Sequence, residues 1–445
     1  MTTQIESGPG PRVTIAAILA SAFLLGAGTT LQSTIVAYRA GILGFSEPII
    51  GIIMSSFFIG FIAGPSAVVF FIRRVGYIRT FSAFATLAST TSLFHLLIQA
   101  APAWIVLRML HGLCVSGMLV IVESWLNIST SSYNRGRVLG LYSLIFLAAM
   151  GAAQPLIGLL SPGSFEIFVL TSILISVSLI PLAITQVGGT PIITHTRIRL
   201  IQTLRRAPLA AFGVIVAGVS SETMWALAPL YGQRTGLSAG ETGTLLLFVS
   251  LGALASQWPL GAVSDTYSRR GTIFASSIIS TLSAAAIAVL SPAGIPLFLL
   301  AFLYGSFCMP LYSLAIALFN DQLSSEEMVE AAGALIVFYG LGSMGGPYGA
   351  SLVMGQIGSR GLFIFIGVIL AVYSAVTFVQ LSGARRISPA QDQETGGKEH
   401  YHPYPRTTFA AFSLIKRAVK KGRRPAAAAL RTSKRQPLIK RRKKQ

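Results

Sequence analysis

Apolar positions along this chain do not alternate, and they do not fall in a narrow helical stripe. They run in long stretches from Val13 to Leu381, divided by short polar links. Twelve stretches stand out, near residues 13–37, 47–72, 79–99, 102–126, 136–160, 165–186, 208–231, 241–263, 271–290, 294–318, 328–354 and 361–381. Crossing a bilayer takes about 20 apolar residues as a helix and only about 10 as a tilted barrel strand. These stretches are therefore helical lengths. A helix also meets its backbone hydrogen bonds internally, as the hydrocarbon core demands. The pattern predicts an all-α membrane protein with twelve transmembrane helices. The first stretch, from Val13 to Val36, is too long for a signal-peptide core and lacks a clear cleavage site, so it reads as the first span.

Composition agrees: 53% of residues are hydrophobic and 11% charged, against about a quarter charged in soluble domains. The basic residues also set an expected orientation. With the N-terminus inside, the inner flanks hold Arg12, Arg73, Arg74, Arg79, Arg135, Arg137, Arg197, Arg199, Arg205, Arg206, Arg269 and Arg270. The outer flanks hold Arg39, Arg234 and Arg360, so the count is twelve against three. Short loops rich in Lys and Arg stay on the cytoplasmic side. The expectation is a multi-pass protein of the plasma (inner) membrane with both termini cytoplasmic.

The chain repeats itself at an offset near 192 residues. Gly44, Ser46, Gly51, Gly60 and Ala63 match Gly236, Ser238, Gly243, Gly252 and Ala255, and Pro155 matches Pro347. Gly112 and Asn127 match Gly305 and Asn320 at an offset of 193. Six spans per repeat make the two halves parallel, one of the plans on which secondary transporters are built. The expected domains are an N-terminal six-helix bundle (1–187), a cytoplasmic linker (188–207), a C-terminal six-helix bundle (208–382) and a basic cytoplasmic tail (383–445).

After the eighth span the sequence reads Gly261-Ala-Val-Ser264-Asp265-Thr-Tyr-Ser-Arg269-Arg270. This resembles the signature loop of the major facilitator superfamily, Gly-x-x-x-Asp-Arg-x-Gly-Arg-Arg. Thr266 stands for the first basic residue and Ser268 for the glycine. The corresponding slot in the first half is more degraded, with Val69 for the glycine and Arg73 for the aspartate, before Arg74-Val75-Gly76. Glu123-Ser-Trp-Leu-Asn127 and Gln257-Trp-Pro-Leu-Gly261 are similar to strings of the YcaD-like branch. The resemblance covers residues 13 to 382. It implies the major facilitator fold, a polytopic carrier, and a central cavity lined by the first, fourth, seventh and tenth spans. The Gly342–Gly349 segment resembles a glycine-proline motif that marks antiporters when it lies in the fifth span. There, Gln154 replaces the glycine before Pro155.

Glu222 is the only charge between Pro208 and Leu230. Ionisable residues at membrane depth are costly and mark ion or substrate paths. At about 1.5 Å per residue, Glu222 and Arg108 both lie roughly 9 Å from the outer face. Two readings follow. They meet across the cavity, or Arg108 snorkels outward while Glu222 bonds within its own half. Glu222 itself reads as a proton carrier, a fixed hydrogen-bond partner or a substrate ligand. In the repeat, Thr30 holds its place. His111 shares a helix face with Arg108 and matches Tyr304 in the repeat; it is either a titrating cavity group or a structural histidine. The cavity candidates are Gln32, Arg108, His111, Glu222, Trp225 and Tyr304. Glu123 is expected in a cytoplasmic ion-pair network with Arg73, Arg74, Arg135 and Arg137, the alternative being substrate contact. Asp265, Arg269 and Arg270 are gating candidates; alternatively, they are charges that only set topology.

Residues 383 to 445 hold 18 Lys and Arg against three acids. Phe409, Phe412, Ile415 and Val419 can share one helix face beside Lys416, Arg417, Lys420 and Lys421. That suits an anionic lipid surface better than nucleic acid, a disordered tail being the other reading. Cys114 and Cys308 lie in separate apolar spans and form no disulfide framework or metal cluster. No Walker loop occurs, and no catalytic residue, metal site or cofactor is expected. The expected function is secondary active transport of a small solute by alternating access, coupled to protons, by a monomer. The alternative is a membrane sensor or scaffold acting through the tail.

Overall fold

The computed structural model describes residues 11–131, 133–184, 200–322 and 325–387, without side chains at 11–12, 325–332 and 383–387. Twelve helical spans follow the apolar stretches. The N-terminal six are Pro11–Ile42, Glu47–Val75, Tyr77–Leu97, Ala101–Ser129, Arg135–Leu159 and Phe165–Ala183. The C-terminal six are Pro208–Thr235, Ala239–Thr266, Arg269–Leu290, Ile295–Asn320, Ser325–Ile357 and Gly361–Ile387. Among the described residues, ten helices are long and apolar enough to cross a membrane. The third and eleventh complete the set. The third is hydroxyl-rich, and several of its hydroxyls bond to its own backbone or to a neighbouring span. Thr86 donates to the Ser82 carbonyl at 2.9 Å, Thr90 to the Thr86 carbonyl at 2.7 Å, and Ser89 meets Ser172 of the sixth span at 2.6 Å.

Three spans are broken where the sequence reads as one apolar run. The fifth breaks at Gln154-Pro155 and the tenth at Met309-Pro310, because proline removes a backbone donor and clashes with the preceding turn. The sixth breaks at Ser178, whose hydroxyl turns back onto the Ile175 carbonyl at 2.6 Å, while the Ser178 carbonyl accepts from Ser21 at 2.6 Å. In the connector, the described end is a short helix, Leu200–Arg206.

The repeat is structural. Gly44 and Gly236 form the turns after the first and seventh spans at φ of 73° and 80°, a region that side chains avoid. Ser46 and Ser238 then start the second and eighth spans. Ser238 makes a reciprocal capping box: its hydroxyl accepts from the Glu241 amide at 3.1 Å, and its own amide donates to the Glu241 carboxylate at 2.8 Å. Deeper in the membrane, Gly60 and Gly112 let the second and fourth spans touch backbone to backbone; Gly252 and Gly305 do the same for the eighth and tenth. A methyl group at any of the four would overlap a carbonyl across the interface, of Met109, Phe57, Phe302 or Val249 respectively. Small residues serve this purpose in membranes, where apolar surface alone does not drive helices together.

Candidate functional site

A cavity of about 450 Å³ lies between the halves. It is lined by the first, second, fourth and fifth spans on one side and the seventh, eighth, tenth and eleventh on the other. The wall thus includes the four spans the resemblance implies and four more. Where the cavity nears the end bearing the arginine-rich loops, Glu123, Ser143, Leu144 and Ser313 are exposed. At the opposite, deep end Arg108 and Trp225 are buried.

Beyond that deep end the halves close on one another. Arg234 of the seventh span pairs with Glu47 of the second at 2.8 Å. Repeat-related Gly51 and Gly243 make two further seals. A side-chain carbon at Gly51 would overlap the Ser351 hydroxyl and lie 3.0 Å from the Pro347 carbonyl. One at Gly243 would overlap the Gln154 carbonyl, beside Pro155. Beside the cavity, Ser250 donates across the interface to the carbonyl of the lining residue Leu147 at 2.9 Å.

Arg108 is 1% exposed. Gly112, one turn on, brings the second span close enough to lay the Phe57 ring 4.8 Å from the guanidinium carbon. Nη2 donates to the Ser33 hydroxyl at 3.3 Å, while Nε and Nη1 have no partner. Glu222 is positioned by the same device in the other half. Gly218 lets the eleventh span approach, and the Tyr339 hydroxyl donates to Glu222 at 2.5 Å. Tyr339 also contacts Ser221 at 3.2 Å and stands edge-on to Tyr312, with ring centres 4.8 Å apart. Among the described residues no ion pair joins Arg108 to Glu222. The two charges face one cavity from opposite halves, and each is held by its own half.

Trp225 lines the cavity one turn beyond Glu222; Gln32, His111 and Tyr304 do not line it. Helix phase explains this. Thr29, Thr30 and Ser33 take the cavity face of the first span, and Arg108, Val115, Leu119 and Glu123 that of the fourth. His111 turns toward the third span, with Nδ1 at 3.1 Å from the Thr91 hydroxyl and 3.3 Å from the Ala88 carbonyl. Tyr304 donates to the Ser220 carbonyl at 2.9 Å and accepts from the Cys308 thiol at 3.2 Å. Gln32 is fully buried with neither amide atom partnered. Cys114 and Cys308 are both free and buried.

Glu123 departs from the expected loop network. It continues the Arg108 stripe into the cavity mouth, where it accepts from the Tyr142 hydroxyl at 3.3 Å. No ion pair ties it to an arginine among the described residues. Arg73 and Arg74 end the second span, with Arg74 stacked 4.2 Å over Phe70. In the signature loop Arg269 is clamped by two acids, Asp265 at 2.7 Å and Asp321 at the end of the tenth span. Arg270 follows in the first turn of the ninth span. Sequence reasoning missed Tyr339, Tyr312, Tyr142 and Asp321. The tyrosines carry no charge to mark them; Asp321 was visible, directly after the repeat residue Asn320.

The family model of the major facilitator superfamily matches residues 18–201 and 210–439. The chain belongs to the major facilitator superfamily. An uncharacterized MFS-type transporter of Yersinia pseudotuberculosis serotype O:3 is 29% identical over 330 residues, covering 73% of this chain and 84% of that one. The uncharacterized MFS-type transporter YcaD of Shigella flexneri is 27% identical over 328 residues, with the same coverage. Among solved structures, the nucleoside transporter NupG matches with a TM-score of 0.67 at 12% identity, covering 83% of this chain and 99% of that one. A bacterial homolog of the human lysosomal transporter Spinster, inward-facing and unoccupied, matches with a TM-score of 0.70 at 14% identity, covering 86% and 100%. In superfamily terms the protein is a multi-pass membrane transporter.

Proposed function

We propose that the protein is a proton-coupled secondary transporter of a small solute, working by alternating access as a monomer in the plasma (inner) membrane. The observation that carries this reading is one cavity between two repeat-related halves, sealed at one end, with Arg108 and Glu222 facing it from opposite sides. A scaffold acting through its tail has no need of two costly charges in such a cavity. Glu222 is the proton carrier in this scheme. Its carboxyl faces the cavity, so it takes up and releases its proton on opposite sides as the halves rock. Both termini are assigned to the cytoplasm, which makes the sealed end external. The tail segment assigned to anionic lipid, 409–421, lies outside the described residues.

The Asp265–Arg269–Asp321 clamp is the proposed gating element. It lies at the rim and within one half, so its strength sets how readily that rim rearranges. Purified protein in sealed vesicles tests the proposal. A small-solute mixture is offered with and without a pH gradient, and the lumen is read by mass spectrometry. At least one solute should accumulate only with the gradient. Asp265→Ala should turn over more slowly at unchanged affinity. A full mixture in which nothing accumulates under either sign of gradient contradicts the transport reading.

A further inference from the structure

We propose that the cavity takes a small amphipathic organic anion, a monocarboxylate on an aromatic or apolar body, with Arg108 as the carboxylate anchor. The inference rests on the transport reading and gives it a substrate class. A buried guanidinium is costly unless its charge is paired. Arg108 has no acidic partner among the described residues, a single long hydrogen bond to Ser33, and two nitrogens without any partner. Its planar fork of donors matches a carboxylate in two-point geometry, which an amide or hydroxyl cannot match in charge. Phe57 covers one face of the guanidinium, so a ligand approaches Arg108 from the cavity it lines.

The remaining walls say what the anion is attached to. Phe58, Phe61, Phe146, Trp225 and Tyr312 give the cavity an aromatic lining, suited to an apolar or aromatic body. A volume of about 450 Å³ falls in the range of about 300–1,000 Å³ usual for small-molecule sites. Charge at the deep end favours a monoanion over the other simple classes. With Glu222 protonated, a monocarboxylate pairs the charge of Arg108 there, while Glu123 lies at the mouth. A cationic amine leaves Arg108 uncompensated, and a dicarboxylate turns its second charge toward Glu222 or Glu123.

The test is a binding screen on the purified full chain by thermal shift and tryptophan fluorescence. The library holds monocarboxylates, each paired with its primary amide, plus the matching amines and amino acids. Hits should fall among the carboxylates, with each amide at least tenfold weaker. Arg108→Gln should lose tenfold or more for the acids and leave the amides unchanged. Arg108→Lys, which keeps the charge without the fork, should fall between, and it serves alone if the glutamine variant does not fold. Equal binding of acids and amides overturns the proposal. So does preference for amines or amino acids, or the absence of any carboxylate hit. Exchange of a labelled hit across vesicles separates the two claims. Binding without exchange sinks transport and leaves the anchor; exchange of only neutral or cationic solutes sinks the anchor and leaves transport.

Discussion

Glu222→Gln is expected to abolish accumulation driven by a pH gradient while leaving exchange down a concentration gradient intact. Glutamine keeps the size of the side chain and can still accept from Tyr339, which reaches Glu222 at 2.5 Å, so the eleventh span stays docked. What it loses is the ability to bind and release a proton. One pH unit is worth about 1.4 kcal/mol, or about tenfold in concentration for one proton per solute. The parent protein should approach that ratio at a gradient of one unit, and the variant should stay at an inside-to-outside ratio of one. Tyr339→Phe removes only the hydrogen bond and should weaken coupling without erasing it. Undiminished accumulation in Glu222→Gln would remove Glu222 from the coupling step.

Gly112→Leu is expected to abolish the folded protein. A side chain there has nowhere to go, because the Phe57 carbonyl of the second span already occupies the position of the first carbon. Overpacking a core costs about 1–3 kcal/mol when side chains can move aside. A backbone contact in the middle of two spans cannot relax that way. The second and fourth spans would have to part, taking Phe57 off Arg108. The reading is the monodisperse peak on gel filtration in detergent. Gly140→Leu in the fifth span is the control, since nothing lies within 4 Å of the position its side chain would start from; it should elute as the parent does. Equal recovery of the Gly112 variant would contradict the packing described.

The spans and the two halves were legible in the sequence, for physical reasons. Length and apolarity report what the bilayer demands of a segment, and a repeat reports what both halves need. Arg108 and Glu222 stood out because a charge in an apolar stretch is costly, and both line the cavity. Helix phase was not. A span that is apolar toward lipid and toward protein alike gives no moment from which its cavity face can be read. Gln32, His111 and Tyr304 were therefore expected in the cavity and lie elsewhere, and Glu123, expected outside it, lines the mouth. The breaks at Pro155 and Pro310 were written in the residues, yet the surrounding apolar run hid them.

Alternating exposure of one cavity is the central claim, and thiol accessibility measures it directly. With Cys114 and Cys308 replaced by alanine, Thr30→Cys places a single thiol in the cavity wall. Membrane-impermeant maleimide is then applied from each side of oriented vesicles. The thiol should label from both sides. Glu47→Lys, added to that variant, sets two cations against each other where the salt bridge now joins the halves. It should raise labelling from the sealed side relative to the arginine-rich side. Labelling from one side alone in the unlocked protein, at every pH and with every solute, would contradict alternating access.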